Sequence, residues 1–202
     1  MAKYSVIVFD LGNVLLPFDY NKTINNLNEK SAGLGDYFVR YYKENRELFR
    51  NFERGDISEL EFLNRILNGL NKRISKEEFI INFSKIFTTN ENLISLLPIL
   101  KEKYILMLLS NTNSIHREYG WKEYDFLKYF DKLILSYEVN AVKPELKIYK
   151  SAESYTQKPS HEHIFIDDIL DYVEGAKKAG WEALQYTGYE QLIDDFKNRE
   201  IV

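Results

Sequence analysis

The chain has no cysteine among its 202 residues. That absence excludes a disulfide scaffold, a thiolate zinc site, an iron–sulfur cluster and a cysteine nucleophile. It also lacks a basic excess, since 31 acidic residues against 27 basic ones leave a formal net charge of −4. A nucleic-acid partner, which needs a concentrated positive surface, is not expected. Long apolar runs are missing too. Tyr104–Leu109 ends in polar Ser110-Asn111 and falls far short of the roughly 20 residues of a membrane span. The apolar run ending at Phe9 is too short for a signal peptide. The expectation is a soluble, cytoplasmic chain with no membrane partner, its oligomeric state unread. Histidine is scarce: His161 and His163 stand one residue apart with no third ligand near, so they read as a solvated loop rather than a zinc site.

What remains is the composition of a globule, 45% apolar and 29% charged. Short apolar runs at Tyr4–Phe9, Tyr104–Leu109, Lys132–Leu135, Ile164–Ile166 and, more weakly, Ala183–Thr187 are each followed by polar residues and a helical pattern. Strands buried on both faces of a parallel sheet have this character, and their alternation with helices predicts an α/β layer of right-handed crossovers. Between Pro17 and Leu97 the alternation stops and only helical periodicity is found. Ser58-Glu59-Leu60-Glu61 and Ser75-Lys76-Glu77-Glu78 both fit a capping box. Behind them, Leu60, Leu63, Ile66, Leu67 and Leu70, then Phe79, Phe83, Ile86 and Phe87, fall on single helical faces. Residues 21–92 also hold 12 of the 17 asparagines. The reading is a helical unit at 17–92 inserted into an α/β core of 1–16 plus 93–202.

Ligands of open parallel sheets sit beyond the carboxyl ends of the strands. There the sequence places Asp10-Leu11-Gly12-Asn13, then Ser110-Asn111-Thr112-Asn113, then Val142-Lys143-Pro144, then Asp167-Asp168. Each alone is ordinary turn or cap chemistry. Together they bring three carboxylates, a lysine and a hydroxyl to one edge. Carboxylate oxygens suit Mg²⁺, and a lysine and hydroxyl beside it suit a phosphoryl group.

At these residues the chain resembles the haloacid dehalogenase (HAD) superfamily, whose four motifs match an apolar strand ending in Asp10, Leu108-Leu109-Ser110-Asn111, Lys143-Pro144 and Phe165-Ile166-Asp167-Asp168 in order. The helical insertion resembles the family's C1 cap on a Rossmann-like core. Phe52-Glu53-Arg54-Gly55-Asp56-Ile57-Ser58 and Ser110-Asn111-Thr112-Asn113 resemble more narrowly the branch containing a bacterial α-D-glucose-1-phosphate phosphatase. The resemblance implies Asp10 as nucleophile and Lys143 as the group neutralising it. It implies Mg²⁺ held by Asp10, the Gly12 carbonyl and Asp168, with Asp167 beside them, and phosphate held by Ser110 and the Asn111 backbone. Asn113 and His116 are candidate substrate contacts. The implied activity is a Mg²⁺-dependent phosphatase acting on a small phosphorylated metabolite, a sugar phosphate. A hydrolytic dehalogenase and a catalytically silent binding protein are the alternatives. Two departures stand out. Gly12 occupies the position of a second Asp in most such phosphatases, with Asp19 a candidate to replace it, and Tyr172 the position of a frequent Asn.

Overall fold

A computed structural model describes residues 3–202. The apolar runs become strands β1 (Val6–Phe9), β2 (Ile105–Ser110), β3 (Lys132–Leu135), β4 (His163–Asp167) and β5 (Glu182–Gln185). They form one parallel sheet in the order β3-β2-β1-β4-β5. Side chains of a strand point alternately to the two faces, and the core divides accordingly. Ile7, Phe9, Leu106, Leu108, Ile164 and Ile166 enter one hydrophobic cluster, while Val6, Val8, Met107, Leu109 and Phe165 enter another. The strands read as unbroken apolar runs because both faces are covered.

The helices in chain order are α1 (Tyr20–Lys30), α2 (Leu34–Glu44), α3 (Arg46–Arg54), α4 (Glu59–Gly69), α5 (Lys76–Ser84), α6 (Glu91–Ile94), α7 (Leu97–Lys101), α8 (Ser136–Val139), α9 (Leu146–Thr156), α10 (Leu170–Lys178) and α11 (Tyr189–Lys197). Leu97 and Leu100 of α7 and Leu192 and Phe196 of α11 cover the first face. Ile148, Tyr149 and Ala152 of α9 and Val173 and Ala176 of α10 cover the second.

Helices α1 to α5, joined by Ile115 from the segment after β2, build a third cluster around Phe38, Phe49, Phe52, Phe62, Phe79 and Phe83. Phe52 and Phe62 stack with centroids 4.1 Å apart, and truncating such a ring to alanine typically costs about 3–5 kcal/mol. The segments flanking these helices run side by side. Asp19 N–H donates to the Ile86 carbonyl at 3.1 Å and Thr88 N–H to the Pro17 carbonyl at 2.8 Å.

Four expectations are corrected. Helix α5 ends at Ser84, so Ile86 and Phe87 do not continue the helical face of Phe79 and Phe83, and Phe87 packs against Phe18 instead. Ser75 and Glu78 form the reciprocal capping box, but Ser58 only accepts from the Glu61 N–H, because Glu61 turns outward to Arg65. Leu60 is 63% exposed. Phe62 rather than Leu60 joins Leu63, Ile66 and Leu70 in the core, which leaves Leu60 roughly 100° off the buried face at 3.6 residues per turn. His163 is not in a solvated loop. It is buried in β4, stacked on Trp181 at 4.8 Å, with Nδ1 bonded to the Pro159 carbonyl and Nε2 to Thr156 Oγ1. His161 is exposed, as expected.

Candidate active site

The carboxyl ends of β1, β2 and β4 lie side by side because those strands are neighbours in the sheet. Asp10, one residue past β1, Asp167, the last of β4, and Asp168 each offer a carboxylate oxygen within 4.8 Å of the others. Lys143, on the loop between α8 and α9, reaches across. Its Nζ donates at 2.6 Å to Asp10 Oδ1 and at 2.6 Å to Asp167 Oδ2. Burial alone would lower the ammonium's pKa, but the two carboxylates reverse this and raise it, so Lys143 stays charged. Burial pushes the Asp10 carboxyl up to about 7, with Lys143 pulling it down and Asp167 raising it. Burial and the charge of Asp167 also raise Asp168.

The second oxygen of Asp167 accepts from the Ile169 N–H at 2.8 Å, so both its oxygens are engaged. Asp168 is partly exposed and accepts from Asn13 Nδ2 at 3.3 Å. Asn13 itself sits at φ 55°, a left-handed conformation that asparagine tolerates well.

One cavity of about 180 Å³ is lined by Asp10, Gly12, Asn13, Ser110, Asn111, Lys143 and Asp168 on the core side and by Glu53 of α3 opposite. Ser110 Oγ makes only a marginal contact, 3.5 Å to the Asn111 carbonyl. The Asn111 side chain braces Lys143: Oδ1 accepts from the Lys143 N–H at 2.8 Å, and Nδ2 donates to the Lys143 carbonyl at 3.2 Å and to the Tyr172 hydroxyl at 3.3 Å. The Tyr172 ring centroid lies 5.0 Å from Lys143 Nζ. This role for the Asn111 side chain is absent from the sequence reading, which assigned only its backbone.

His116 lines the same cavity and Asn113 an adjoining one. Both are buried and bonded to each other. Asn113 Oδ1 accepts from the His116 N–H at 3.0 Å, Asn113 Nδ2 meets His116 Nδ1 at 3.2 Å, and His116 Nε2 meets the Phe83 carbonyl at 3.1 Å. That pattern requires a neutral ring protonated on Nε2. Burial lowers the His116 pKa to about 4.

Asp19 is elsewhere. Its carboxylate accepts from the Asn21 N–H and caps α1, and it lines neither cavity. The residue that sequence reasoning left without a role is Glu53. It lies in the run Phe52 to Ser58, which carries the narrower resemblance. This run makes the joint between α3 and the sheet. The Glu53 carbonyl is 2.5 Å from Ser136 Oγ, the Gly55 carbonyl accepts from Asn140 Nδ2 at 3.2 Å, and Arg54 pairs with Glu145. Gly55 has φ 81°, and a Cβ there would meet the Tyr137 carbonyl oxygen at 2.3 Å, so only glycine fits this turn.

Residues 4–180 match the model of haloacid dehalogenase-like hydrolases. The chain belongs to that family. Among curated relatives, this hydrolase is similar to a D-ribitol-5-phosphate phosphatase of Bacteroides thetaiotaomicron, 27% identical over 89% of this chain and 90% of the relative. It is also similar to the pyrimidine 5′-nucleotidase YjjG of Escherichia coli, 22% identical over 89% and 86% of the two chains. Among solved structures, the HAD family enzyme bt-2542 of Bacteroides thetaiotaomicron superposes with a TM-score of 0.83 at 26% identity, covering 94% of this chain and 98% of that one. A second structure of bt-2542 holds magnesium and inorganic phosphate and superposes with a TM-score of 0.78 over 94% of this hydrolase and 98% of that chain, at 26% identity.

Proposed function

We propose that this hydrolase is a Mg²⁺-dependent phosphatase that cleaves a small phosphorylated metabolite, a sugar phosphate, through an aspartyl phosphate on Asp10. The observation that carries the reading is the buried Lys143 ammonium spanning Asp10 and Asp167 at 2.6 Å each, with Asp168 beside them. Three carboxylates at the ends of adjacent strands, with a lysine reaching across them from a loop, are costly to bury and suit a dianionic phosphoryl group with a cation.

The donor set fits Mg²⁺, being hard carboxylate oxygens close enough to share one ion. Asp10, Asp168 and the Gly12 carbonyl would hold it. When bound, the ion neutralises charge on the phosphoryl oxygens. Asp167, whose oxygens are taken by Lys143 and the Ile169 N–H, acts by holding Lys143 in place. Asp10 attacks phosphorus, Lys143 offsets the growing negative charge, and Ser110 and the Asn111 backbone bind the phosphate oxygens. Splitting one displacement into two lowers the barrier of each.

We assign residues 17–92 as a cap that encloses the rest of the substrate, with Asn113 and His116 forming part of its wall. The relative that acts on ribitol 5-phosphate supports a polyol or sugar as the leaving group. A nucleoside monophosphate is the second reading. It is favoured by an adjoining cavity of about 150 Å³ walled by Tyr20, Phe38, Tyr42, Phe49 and Phe52, on which a base would stack. A dehalogenase is disfavoured by the three-carboxylate cluster, which such an enzyme does not need.

Phosphate release from a panel of sugar phosphates and nucleotides, with and without Mg²⁺, tests the proposal. Turnover is expected only with Mg²⁺ and is expected to fall by about 10⁴ or more in Asp10→Asn. Wild-type rates in Asp10→Asn end the aspartyl-phosphate reading.

A further inference from the structure

The hydrolysis proposed above leaves a gap in its proton handling. The leaving oxygen of a sugar phosphate is a poor anion and must gain a proton as it departs, and the attacking water must then lose one. Position 12, two residues past Asp10, has no side chain for this. The space beside it is filled by Phe18, whose Cε1 would lie 3.0 Å from a Cβ at Gly12. Asp19 is occupied in capping α1. Among the described residues that line the cavity, the carboxylates are Asp10, Asp168 and Glu53.

We propose that Glu53, on the cap helix α3, is the general acid and base of this enzyme, supplying from the opposite wall the carboxyl group that position 12 lacks. The inference rests on the phosphatase reading and names a further catalytic residue within it. Four observations support it. Glu53 lines the cavity together with Asp10, Gly12, Ser110 and Lys143, and it also lines the aromatic cavity where the leaving group would lie. It therefore stands at the junction between phosphoryl group and leaving group, where the proton is needed. Among the described residues, no hydrogen bond or ion pair engages its carboxylate, although its neighbour Arg54 is paired with Glu145. Its backbone is held to the sheet: Ser136 Oγ, which lies 2.5 Å from the Glu53 carbonyl, also contacts the Thr112 N–H and carbonyl, each at 2.9 Å. Thr112 follows Ser110 and Asn111 directly, so one hydroxyl fixes α3 against the phosphate-binding strand end. Finally, burial pushes the Glu53 carboxyl up to about 7, where both protonation states are accessible at neutral pH.

The steps balance. Asp10 forms a bond to phosphorus, the bond from phosphorus to the leaving oxygen breaks with its electron pair on oxygen, and that oxygen takes the Glu53 proton. The Glu53 carboxylate then takes a proton from water, whose oxygen attacks phosphorus. The aspartyl oxygen departs with its electron pair, which restores the Asp10 carboxylate and the Glu53 acid. The sum is ester plus water giving alcohol plus phosphate.

The test compares two esters in wild type, Glu53→Gln, Glu53→Asp and Asp10→Asn, all with Mg²⁺. Ribitol 5-phosphate has an alkoxide leaving group that needs the proton, and p-nitrophenyl phosphate has one that does not. In Glu53→Gln, kcat for ribitol 5-phosphate should fall by about 10²–10⁴. The first turnover of nitrophenol should stay within a few-fold of wild type, as a burst equal to the enzyme present, followed by slow release while the aspartyl phosphate waits for a base. The burst itself shows that the variant is folded. Glu53→Asp should recover part of the alkyl-ester rate. Equal losses on both esters in the first turnover, or a rise in KM with kcat intact, would overturn the proposal and make Glu53 a binding group only. If Asp10→Asn hydrolyses both esters like wild type, the aspartyl-phosphate reading fails first, a result separable from any behaviour of Glu53.

Discussion

The ring of Phe18 stands where a side chain on Gly12 would project, 3.0 Å from the position of its Cβ. The ring is itself held edge-on by Tyr20 at 5.3 Å and Phe87 at 6.2 Å. A side chain at position 12 would thus press on an aromatic cluster at the root of the helical insertion.

Gly12→Ala should therefore cost about 1–3 kcal/mol of stability through overpacking. Phe18→Leu should cost stability as well, by leaving space. Combined, the two should cost less than the sum by about 0.5 kcal/mol or more, because each relieves the other. Urea denaturation of the three variants measures this, and strict additivity would show that Phe18 is not the obstacle.

Asn111→Leu keeps the approximate volume but leaves the Lys143 N–H and carbonyl without their partner. Lys143 should then lose its fixed placement between Asp10 and Asp167. By analogy with partners that orient metal ligands, kcat/KM should fall about 10- to 100-fold. Since Asn111 is not among the grouped carboxylates, Mg²⁺ affinity measured by calorimetry should change little. A large loss of Mg²⁺ affinity would contradict this division of roles.

The strands were legible because burial on both faces makes each one an uninterrupted apolar run, Val6–Phe9 above all. The site's core-side residues were legible for a related reason: parallel strands deliver their carboxyl ends to one edge, so Asp10, Ser110 and Asp167 could be listed in order. Glu53 was hidden because it reaches the cavity from a helix, and no period in the sequence says which cap residue faces the core. Leu60 and Phe62 illustrate the same limit within one helix, where the aromatic ring decides which face is buried. His163 departs from the expected loop because a histidine bonded at both nitrogens and stacked on Trp181 can open a strand like an apolar residue. The bracing by Asn111 depends on contact with a loop 32 residues away, which local pattern does not encode.

His116 makes stability depend on pH with a definite sign. In the unfolded chain it binds a proton near pH 6.5, while in the folded protein burial lowers the pKa to about 4. Between these values the unfolded state holds more protons, so its contribution is fully present above pH 6.5 and is lost as pH falls through 4. The full loss is about 3 kcal/mol. Subtracting the stability–pH curve of His116→Gln from that of wild type should isolate this slope. A flat difference between pH 6.5 and 4 would show that the buried ring is not what titrates.

Mg²⁺ should stabilise the fold, and the two adjacent aspartates should respond to substitution in opposite ways. The oxygens of Asp10, Asp167 and Asp168 lie within 4.8 Å of one another, and one lysine offsets only part of that charge. An ion that binds only the folded state adds about 2.7 kcal/mol at a hundred times its Kd. Asp168→Asn removes a charge that no lysine or arginine pairs with among the described ion pairs. It should leave the metal-free protein as stable as wild type or more so, while the gain from Mg²⁺ largely disappears. Asp167→Asn instead turns an amide group toward the buried Lys143 ammonium and disrupts the bond of Asp167 Oδ2 to Nζ. Breaking a buried pair in this way costs about 3–5 kcal/mol, yet Asp10 and Asp168 still face each other and most of the Mg²⁺ gain should survive. Thermal unfolding of both variants across a Mg²⁺ titration separates the two roles. If Asp167→Asn abolishes the Mg²⁺ gain while Asp168→Asn retains it, then Asp167 holds the metal and the placement proposed for the ion is wrong.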